Sequence, residues 1–167
     1  MSEFTHLDAK GNAVMVDVSQ KQQTKRQAIA TGRIKMNPEC YSAAKAGSTP
    51  KGDVLGAARI AGIMAVKQTG LLIPLCHTLQ IEQASIDFEF SDEERCVIAN
   101  CSVKSVGVTG VEMEALTGVS IALLTVYDMC KAIDKGMEIG EIYLVKKTGG
   151  KNGPYRNEKG EMYVGRP

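Results

Sequence analysis

The sequence predicts an α+β domain in which two main helices cover one face of an antiparallel sheet. Segments 81–90 and 97–103 each alternate apolar and polar residues, as two strands with one buried face do. A strand and a helix precede this pair, and a helix and a strand follow it, so the order is βαββαβ. That order is typical of the ferredoxin-like fold, and 167 residues are enough to give such a domain its own core.

The first half of the domain begins with a strand predicted over residues 27–36, followed by a short helix over 37–47. The first main helix is expected over 53–68, because this segment is rich in alanine and apolar on most sides. Thr49 and Pro50 precede it in the pattern of an N-cap followed by a proline in the first turn. We therefore expect these two residues to begin the helix.

The central hairpin is predicted from its alternation. A polar run at 91–94 separates the two strands and is typical of a turn. One face of the hairpin is expected to pack against the helices, because the apolar residues of both strands point to the same side. These residues are Ala84, Ile86, Phe88, Phe90, Val97, Ala99, Cys101 and Val103.

The second main helix is expected to begin with a capping box, in which Thr109 caps the helix and Glu112 follows three residues later. The helix should run to about Asp134, where its apolar pattern ends. The last strand is predicted over 137–144. Its apolar phase reverses at Gly140, which predicts a β-bulge at that residue.

The two ends of the chain are less regular than its middle. Glycine and proline are frequent from residue 149 onward, which indicates a loose tail. We expect a single domain over residues 1–153, of which 1–14 are mobile, and a flexible tail over 154–167. The second face of the sheet has no predicted cover, and a second copy of the chain is one way to supply it.

Charge and composition exclude several classes of function. Twenty Lys and Arg against nineteen Asp and Glu give a net charge of +1, so no overall field attracts nucleic acid or an anionic membrane. Aromatic residues make up only 5% and tryptophan is absent, which argues against a stacking platform for single-stranded nucleic acid. An RNA-binding domain would need Phe88 and Phe90 to face solvent. We therefore expect no nucleic-acid partner.

The chain is expected to be cytoplasmic. Its first eleven residues are polar and lack the apolar core of a secretory signal. The five cysteines are odd in number and none is spaced as CxxC, so we expect them to be reduced. The longest nearly apolar stretch, 54–66, contains Arg59 and is too short to span a bilayer. No membrane partner is expected.

Three residues of the helices suggest acid–base chemistry. Lys51 is expected at the start of the first main helix, where a cation opposes the helix dipole. It either binds an anion with the free amides, transfers a proton, or is simply solvated. Asp128 and Lys131 share a helix face at i,i+3, as a surface pair or as a partly buried proton-transfer couple.

The length of the second main helix limits how these groups can be used. Glu114 and Asp128 are fourteen residues apart, or about 21 Å along a helix. One small pocket within one chain would not reach both carboxylates. A long ligand, two separate sites, or a site assembled between subunits would each resolve this separation.

Two loops carry further candidates. Cys76 and His77 are adjacent and point opposite ways on an extended chain, which disfavours a zinc site and a hydrolase triad. His77 is otherwise a packed loop residue.

The run KKTGGKNG at 146–153 is basic and glycine-rich, so its amides can approach an oxyanion, although it is not a Walker A loop. A flexible, solvated tail is the alternative. Together the basic positions indicate a phosphorylated small molecule, and no metal or cofactor is expected.

Several motifs occur in an order that points to one family. They are KGDV at 51–54, ARIAG at 58–62, IPLCH at 73–77, TGVEMEALT at 109–117 and YDMCKA at 127–132. With MVDVS at 15–19 and the segment 147–151, the chain resembles the molybdenum cofactor biosynthesis protein C family, the cyclic pyranopterin monophosphate synthases. The resemblance covers residues 5–153. Motifs in this number and order are far more specific than any single short pattern.

The resemblance implies a specific reaction. The family converts (8S)-3′,8-cyclo-7,8-dihydroguanosine 5′-triphosphate, which a radical SAM GTP cyclase makes upstream, into cyclic pyranopterin monophosphate. Pyrophosphate leaves as the pterin ring and the cyclic phosphate form, so the enzyme class is phosphorus–oxygen lyase. The resemblance also implies a homohexamer, a trimer of dimers, with the pocket between subunits. Such a pocket agrees with the separation of Glu114 from Asp128.

The resemblance also implies roles for matching residues. Asp128, Lys131 and Lys51 are implied as catalytic. The implied substrate-binding residues are Leu75, Cys76, His77, Glu112, Met113, Glu114, Lys147 and Arg26. The chain departs from the family at Thr78, where proline is usual, and at Val108, where a basic residue is common. The alternative reading is a non-catalytic, nucleotide-binding regulatory module, which would need only the cations.

Overall fold

The computed structural model describes residues 10–151 and 153–159. Three helices and five strands follow each other in this order: β1 Thr24–Lys35, α1 Pro38–Ala46, α2 Val54–Leu72, β2 Gln83–Ser91, β3 Cys96–Gly107, α3 Glu112–Cys130, β4 Glu138–Thr148 and β5 Tyr155–Arg156. The sheet order is β2-β3-β1-β4-β5, with every neighbouring pair antiparallel. The predicted α+β, ferredoxin-like arrangement is confirmed, with β5 as an added edge strand.

The core lies between the sheet and the two main helices. The inward residues of β3 are fully buried, as their alternation predicts, and they are Val97, Ala99, Cys101 and Val103. The helices α2 and α3 cross at two glycines. A Cβ on Gly62 would lie 2.9 Å from the carbonyl oxygen of Gly118, and a Cβ on Gly118 would lie 2.8 Å from the sulfur of Cys101. Only glycine at these positions lets α3 pack this closely against both α2 and the sheet.

The aromatic residues of β2 face the core. Phe88 and Phe90 pack against the buried cluster, and Phe90 meets the ring of Tyr41 edge-on with centroids 5.6 Å apart. The guanidinium of Arg59 lies 5.7 Å from the centre of the Phe88 ring. Neither ring is therefore presented on an open sheet face, so the condition for the RNA-binding alternative is not met.

The start of α2 differs from the prediction. Asp53, rather than Thr49, is the N-cap, and its carboxylate accepts a hydrogen bond from the amide of Gly56 at 2.8 Å. Thr49, Pro50 and Lys51 lie in a turn before the helix. Asp is as good an N-cap as Thr, and here it lies directly before the apolar run that α2 buries. Lys51 therefore does not oppose the helix dipole from within the helix.

Both ends of α3 also differ from the prediction. The capping box is absent: Val111 is the N-cap without a side-chain hydrogen bond, and Glu112 is the first residue of the helix. At the other end the helix stops at Cys130 instead of Asp134. The carboxylate of Asp134 accepts hydrogen bonds from the amides of Asn37 and Gly136, so it organises the loop that follows the helix.

The predicted bulge in β4 is confirmed within one residue. Arg33 pairs with Gly140 while Thr31 pairs with Tyr143, so β4 carries one extra residue between these pairs. Glu141 takes a positive φ of 50° there. A second register shift, near Val145, was not predicted.

The region expected to be a loose tail contributes to the sheet. Tyr155 pairs with Lys147, and Arg156 pairs with Lys146, which makes β5 a short edge strand beside β4. The amide of Asn157 donates to the carbonyl of Val145 at 2.8 Å. Residues 1–9 and 160–167, which hold most of the expected mobile start and the rest of the expected tail, lie outside the described residues.

The stretch 54–66 named from the sequence lies in α2, and α3 is similarly apolar. Over Glu112–Cys130 it has the length and hydropathy of a membrane span, and 44% of that window is buried inside the fold. The core helices of soluble proteins meet the same criterion. Its hydropathy is explained by its place between α2 and the sheet.

Candidate active site

Two adjoining clefts lie at the start of α3. The first has a volume of about 630 Å³ and the second about 380 Å³. They share four lining residues, which are Lys21, Thr109, Gly110 and Glu112. Because the same residues line both spaces, the two clefts are direct neighbours, as two subsites of one extended ligand would be.

The first cleft is strongly basic. Its lysines and arginine are Lys21, Arg26, Lys147 and Lys151, and among the described lining residues they face one carboxylate, that of Glu112. Lys147 and Glu112 form an ion pair with 3.6 Å between nitrogen and oxygen, and both side chains are largely buried. The surplus of cations in a concave space is suited to a polyanion such as a triphosphate.

Arg26 is held in place by backbone on both sides. Its guanidinium donates to the carbonyl oxygens of Gly107 and Val108, each at 3.3 Å. On the other side the loop after β4 passes directly over it, and a Cβ on Gly150 would lie 1.8 Å from an Arg26 nitrogen. Gly150 also has a φ of +86°, so this close approach requires glycine.

The second cleft is smaller, and more of its lining residues are apolar. Its walls include Leu75, Cys76 and His77 from the loop after α2, and Met113 and Glu114 from the first turn of α3. The walls combine apolar side chains with two carboxylates, as a pocket for a planar heterocycle with hydrogen-bond donors would.

The N-terminal segment closes one side of this cleft. His77 Nε2 donates to the carbonyl oxygen of Val16 at 2.9 Å, which ties the segment to the loop after α2. Val18 and Lys21 from the same segment also line the clefts. His77 is thus a structural link as well as a cleft residue.

Two ionisable groups of the second cleft are perturbed in the same direction. The side chain of Glu114 is buried, with 3% of the residue exposed, and this burial raises the pKa of its carboxyl group above the usual value. The charge of Glu112 adds to the effect. Burial also raises the pKa of the Cys76 thiol, so this cysteine is not an activated nucleophile.

A separate charged cluster lies at the end of α3. Asp128 accepts from Lys131 at 2.6 Å and from Lys51 at 2.8 Å, one lysine on each carboxylate oxygen. Lys51 also donates to the main-chain carbonyl of Asp128 at 3.0 Å. The two ammonium groups, Lys131 before Lys51, lower the pKa of Asp128 to about 2, and the carboxylate in turn raises the pKa of Lys131.

This cluster is open to solvent within one chain. The side chains of Asp128, Lys131 and Lys51 are 56%, 52% and 45% exposed, so the pair is not partly buried as the sequence suggested. The neighbouring buried residues, Val126 and Cys130, lie on the opposite face of α3 and pack into the core. Because these neighbours are apolar, the sequence suggested that Asp128 could be partly buried, which is wrong for the single chain.

The structure therefore sorts the predicted site residues into two groups. The clefts contain Leu75, Cys76, His77, Glu112, Met113, Glu114, Lys147 and Arg26. The residues implied as catalytic, Asp128, Lys131 and Lys51, are in direct contact with each other and line neither cleft. Fourteen helical residues, about 21 Å, separate Glu114 from Asp128.

Sequence reasoning missed Lys21, which lines both clefts. It lies in an irregular polar segment without hydrophobic periodicity. The feature of the sequence that could have indicated it is its closeness to Arg26, five residues further along the chain. In the described part of the chain, no group of three or more His, Cys, Asp and Glu side chains is arranged to hold a metal ion.

Comparison with known proteins agrees with the motifs. A family model described as "MoaC family" matches residues 15–150. A Clostridium perfringens (strain 13 / Type A) protein named cyclic pyranopterin monophosphate synthase is 58% identical over 154 residues, 92% of this chain and 98% of that protein. Proteins with the same name from Clostridium botulinum (strain Alaska E43 / Type E3) and Pelobacter propionicus are 56% and 52% identical, over 94% and 95% of this chain and 99% of each relative. The chain belongs to the MoaC family.

Proposed function

We propose that the protein is a cyclic pyranopterin monophosphate synthase of molybdenum cofactor biosynthesis. It converts (8S)-3′,8-cyclo-7,8-dihydroguanosine 5′-triphosphate to cyclic pyranopterin monophosphate and releases pyrophosphate, as a phosphorus–oxygen lyase. Membership of the family and relatives of this name at 52–58% identity over nearly their full length support the proposal.

The observation that carries this function is the pair of joined clefts. All eight residues implied as substrate-binding line one cleft or the other. The basic cleft suits the triphosphate, and the apolar cleft with Glu114 suits the base-derived ring, whose N–H groups are donors. A substrate that is anionic at one end and heterocyclic at the other matches both spaces.

Asp128, Lys131 and Lys51 are proposed to move the protons. A carboxylate held between two ammonium groups is fully charged at neutral pH and is a weak base in that state. Enclosing the cluster would remove its solvent, and loss of solvent disfavours the charged form of a buried group. Ring opening and closure need several proton transfers, and such a cluster supplies both donors and an acceptor.

The dimensions support an active site that is assembled between subunits. A cyclised nucleoside triphosphate cannot bridge about 21 Å of helix to reach the clefts and Asp128 of the same chain. We propose that the end of α3 from one subunit closes over the clefts of another. A homohexamer built as a trimer of dimers, the assembly that the family resemblance implies, provides such contacts.

The remaining parts of the proposal concern context. Residues 1–153 would form the catalytic domain, and the substrate would come from the radical SAM GTP cyclase that acts before this enzyme. A non-catalytic, nucleotide-binding module remains the alternative function. It would use the cations of the first cleft and would have no need for the contacts of Asp128 with two lysines.

The decisive experiment incubates the purified protein with the cyclised dihydro-GTP substrate and measures pyrophosphate and the pterin product. We expect both products in equal amounts. GTP serves as the control nucleotide, because it has the same triphosphate but lacks the new ring. Tight binding of the substrate without any pyrophosphate, from protein that is folded and assembled, would favour the non-catalytic alternative.

A further inference from the structure

Lys51 is presented by a closed turn over residues 49–52 and not by the helix that follows. The amide of Gly52 donates to the carbonyl oxygen of Thr49 at 3.1 Å. In the opposite direction, the Thr49 hydroxyl donates to the carbonyl oxygen of Gly52 at 2.7 Å. Two reciprocal hydrogen bonds therefore join the residues that flank Pro50 and Lys51.

The two residues that close the turn are suited to it for different reasons, Thr49 by its burial and Gly52 by its backbone conformation. Thr49 is 7% exposed, so its hydroxyl has little access to water as an alternative partner. Gly52 has a φ of +85°, while an added Cβ would meet nothing within 4 Å. Glycine is thus required at 52 by the backbone conformation and not by a lack of space.

The turn is also anchored on both sides. On the α1 side, Gly47 is the C-cap and the amide of Ser48 donates to the carbonyl of Ala43 at 3.0 Å. On the α2 side, Asp53 follows immediately as the N-cap. Only five residues, 48–52, connect the two capping positions, and the hydrogen bonds described above constrain their backbone. The Cα of Lys51 is therefore held in position relative to both helices.

From this geometry we propose that Thr49 and Gly52 are positioning residues for Lys51, since the turn that they close directs the lysine onto Asp128 at the end of α3. The inference rests on the proposed function, in which Lys51 takes part in catalysis. A lysine side chain loses considerable rotamer freedom when it is fixed. A rigid base for that side chain keeps its nitrogen 2.8 Å from the Asp128 carboxylate and 3.0 Å from its carbonyl.

The test compares Thr49→Val, Thr49→Ser and Gly52→Ala in the full chain. Thr49→Val keeps the volume of the side chain but leaves the Gly52 carbonyl without its donor, whereas Thr49→Ser keeps the donor. Ser48→Ala is the matched control, because the neighbouring Ser48 hydroxyl donates to Ala43 and not to the turn.

Two measurements separate positioning from simple stabilisation. With the cyclised dihydro-GTP substrate, we expect Thr49→Val and Gly52→Ala to lower kcat about threefold to tenfold with KM little changed, as a misplaced group does. Thr49→Ser should recover most of the loss. In carbon-13 NMR spectra recorded down to about pH 3.5, the Asp128 carboxyl should begin to titrate at higher pH in both impaired variants, because one of its ammonium partners has moved.

The outcomes distinguish this inference from the proposed function. If the folded Thr49→Val protein keeps both the wild-type kcat and the wild-type Asp128 titration, the positioning role is refuted. If Gly52→Ala does not fold, Thr49→Val alone decides. If the wild-type protein does not turn over the substrate, the proposed function fails, and the Asp128 titration still tests whether the turn positions Lys51.

Discussion

The two ends of α3 present charge in opposite ways. At its start, Glu112 and Glu114 line concave clefts, and Glu114 is almost completely buried. At its end, Asp128 is held between two lysines on an open surface. The first region is concave within one chain, whereas the second is a charged cluster without enclosure. Under the proposed assembly, the second region is the half of the active site that another subunit would supply.

Removing a lysine at the exposed end should have the largest effect on turnover. Lys131→Ala is expected to lower kcat by about 100-fold to 10,000-fold, the range for loss of a general acid or base. Substrate affinity should change only a few-fold, because the clefts are intact. Steady-state kinetics and calorimetric binding measure the two effects, and Lys135→Ala, an exposed lysine in the following loop, is the control. Normal turnover by Lys131→Ala would contradict the catalytic assignment.

Mixing two variants, each expected to be impaired at one end of α3, tests whether the two ends meet across subunits. Lys131→Ala has an intact start of α3, and Glu114→Gln has an intact end. If each pocket takes one half from each of two chains, random equimolar assembly should restore about a quarter of wild-type activity. The assay measures pyrophosphate after co-refolding or subunit exchange. No recovery from confirmed mixed oligomers would place both halves of the site in one chain.

A matched glycine pair sharpens the description of the basic cleft. Gly150→Ala places a methyl group 1.8 Å from an Arg26 nitrogen, so Arg26 or the loop must move. We expect KM to rise about tenfold, equivalent to about 1.4 kcal/mol of binding. Gly153→Ala shares the strain of a positive φ, but its added Cβ meets nothing within 4 Å. Equal effects of the two variants would show that backbone strain, and not Arg26, is responsible.

The smallest expected effect concerns stability at the buried end. Burial raises the pKa of Glu114, so the folded protein binds a proton at this carboxyl group more tightly than the unfolded chain does. Protonation of Glu114 therefore stabilises the fold. That contribution is complete below the unfolded pKa, near 4.5, and is lost as pH rises through the folded pKa. Glu114→Gln should therefore gain stability relative to wild type between pH 4 and pH 7, as thermal melts of both proteins would show. Glu138→Gln, an exposed carboxylate on β4, should show no such gain.

Much of the fold was predictable because burial leaves a regular trace in the sequence. The alternation in β2 and β3 specified which faces are buried, and the reversal at Gly140 located a bulge. The helix starts were less predictable, because Thr49 and Thr109 match cap patterns as well as Asp53 does. The choice between them depends on where the apolar face meets the sheet, which is a property of the packed structure.

The candidate site was predictable in its residues but not in its arrangement. The motifs contained every cleft residue that the resemblance implied except Arg26, and they did not contain Lys21. The burial of the Asp128 pair was misjudged, since neighbours such as Val126 face the other side of the helix. Whether a charged residue is enclosed depends on groups distant in sequence or in another subunit.

The glycine crossing between α2 and α3 has a consequence for evolution of the site. A change in the crossing angle would rotate α3 about its contact at Gly118. Asp128 lies ten residues further along the helix and therefore about 15 Å from this contact. A larger residue at either glycine that changed the crossing angle by only ~5° would displace Asp128 by roughly 1.3 Å over that arm. Such a shift is enough to break its contacts with Lys51. Mutational sensitivity of the cluster proposed to be catalytic should therefore extend to Gly62 and Gly118, two core residues that line neither cleft.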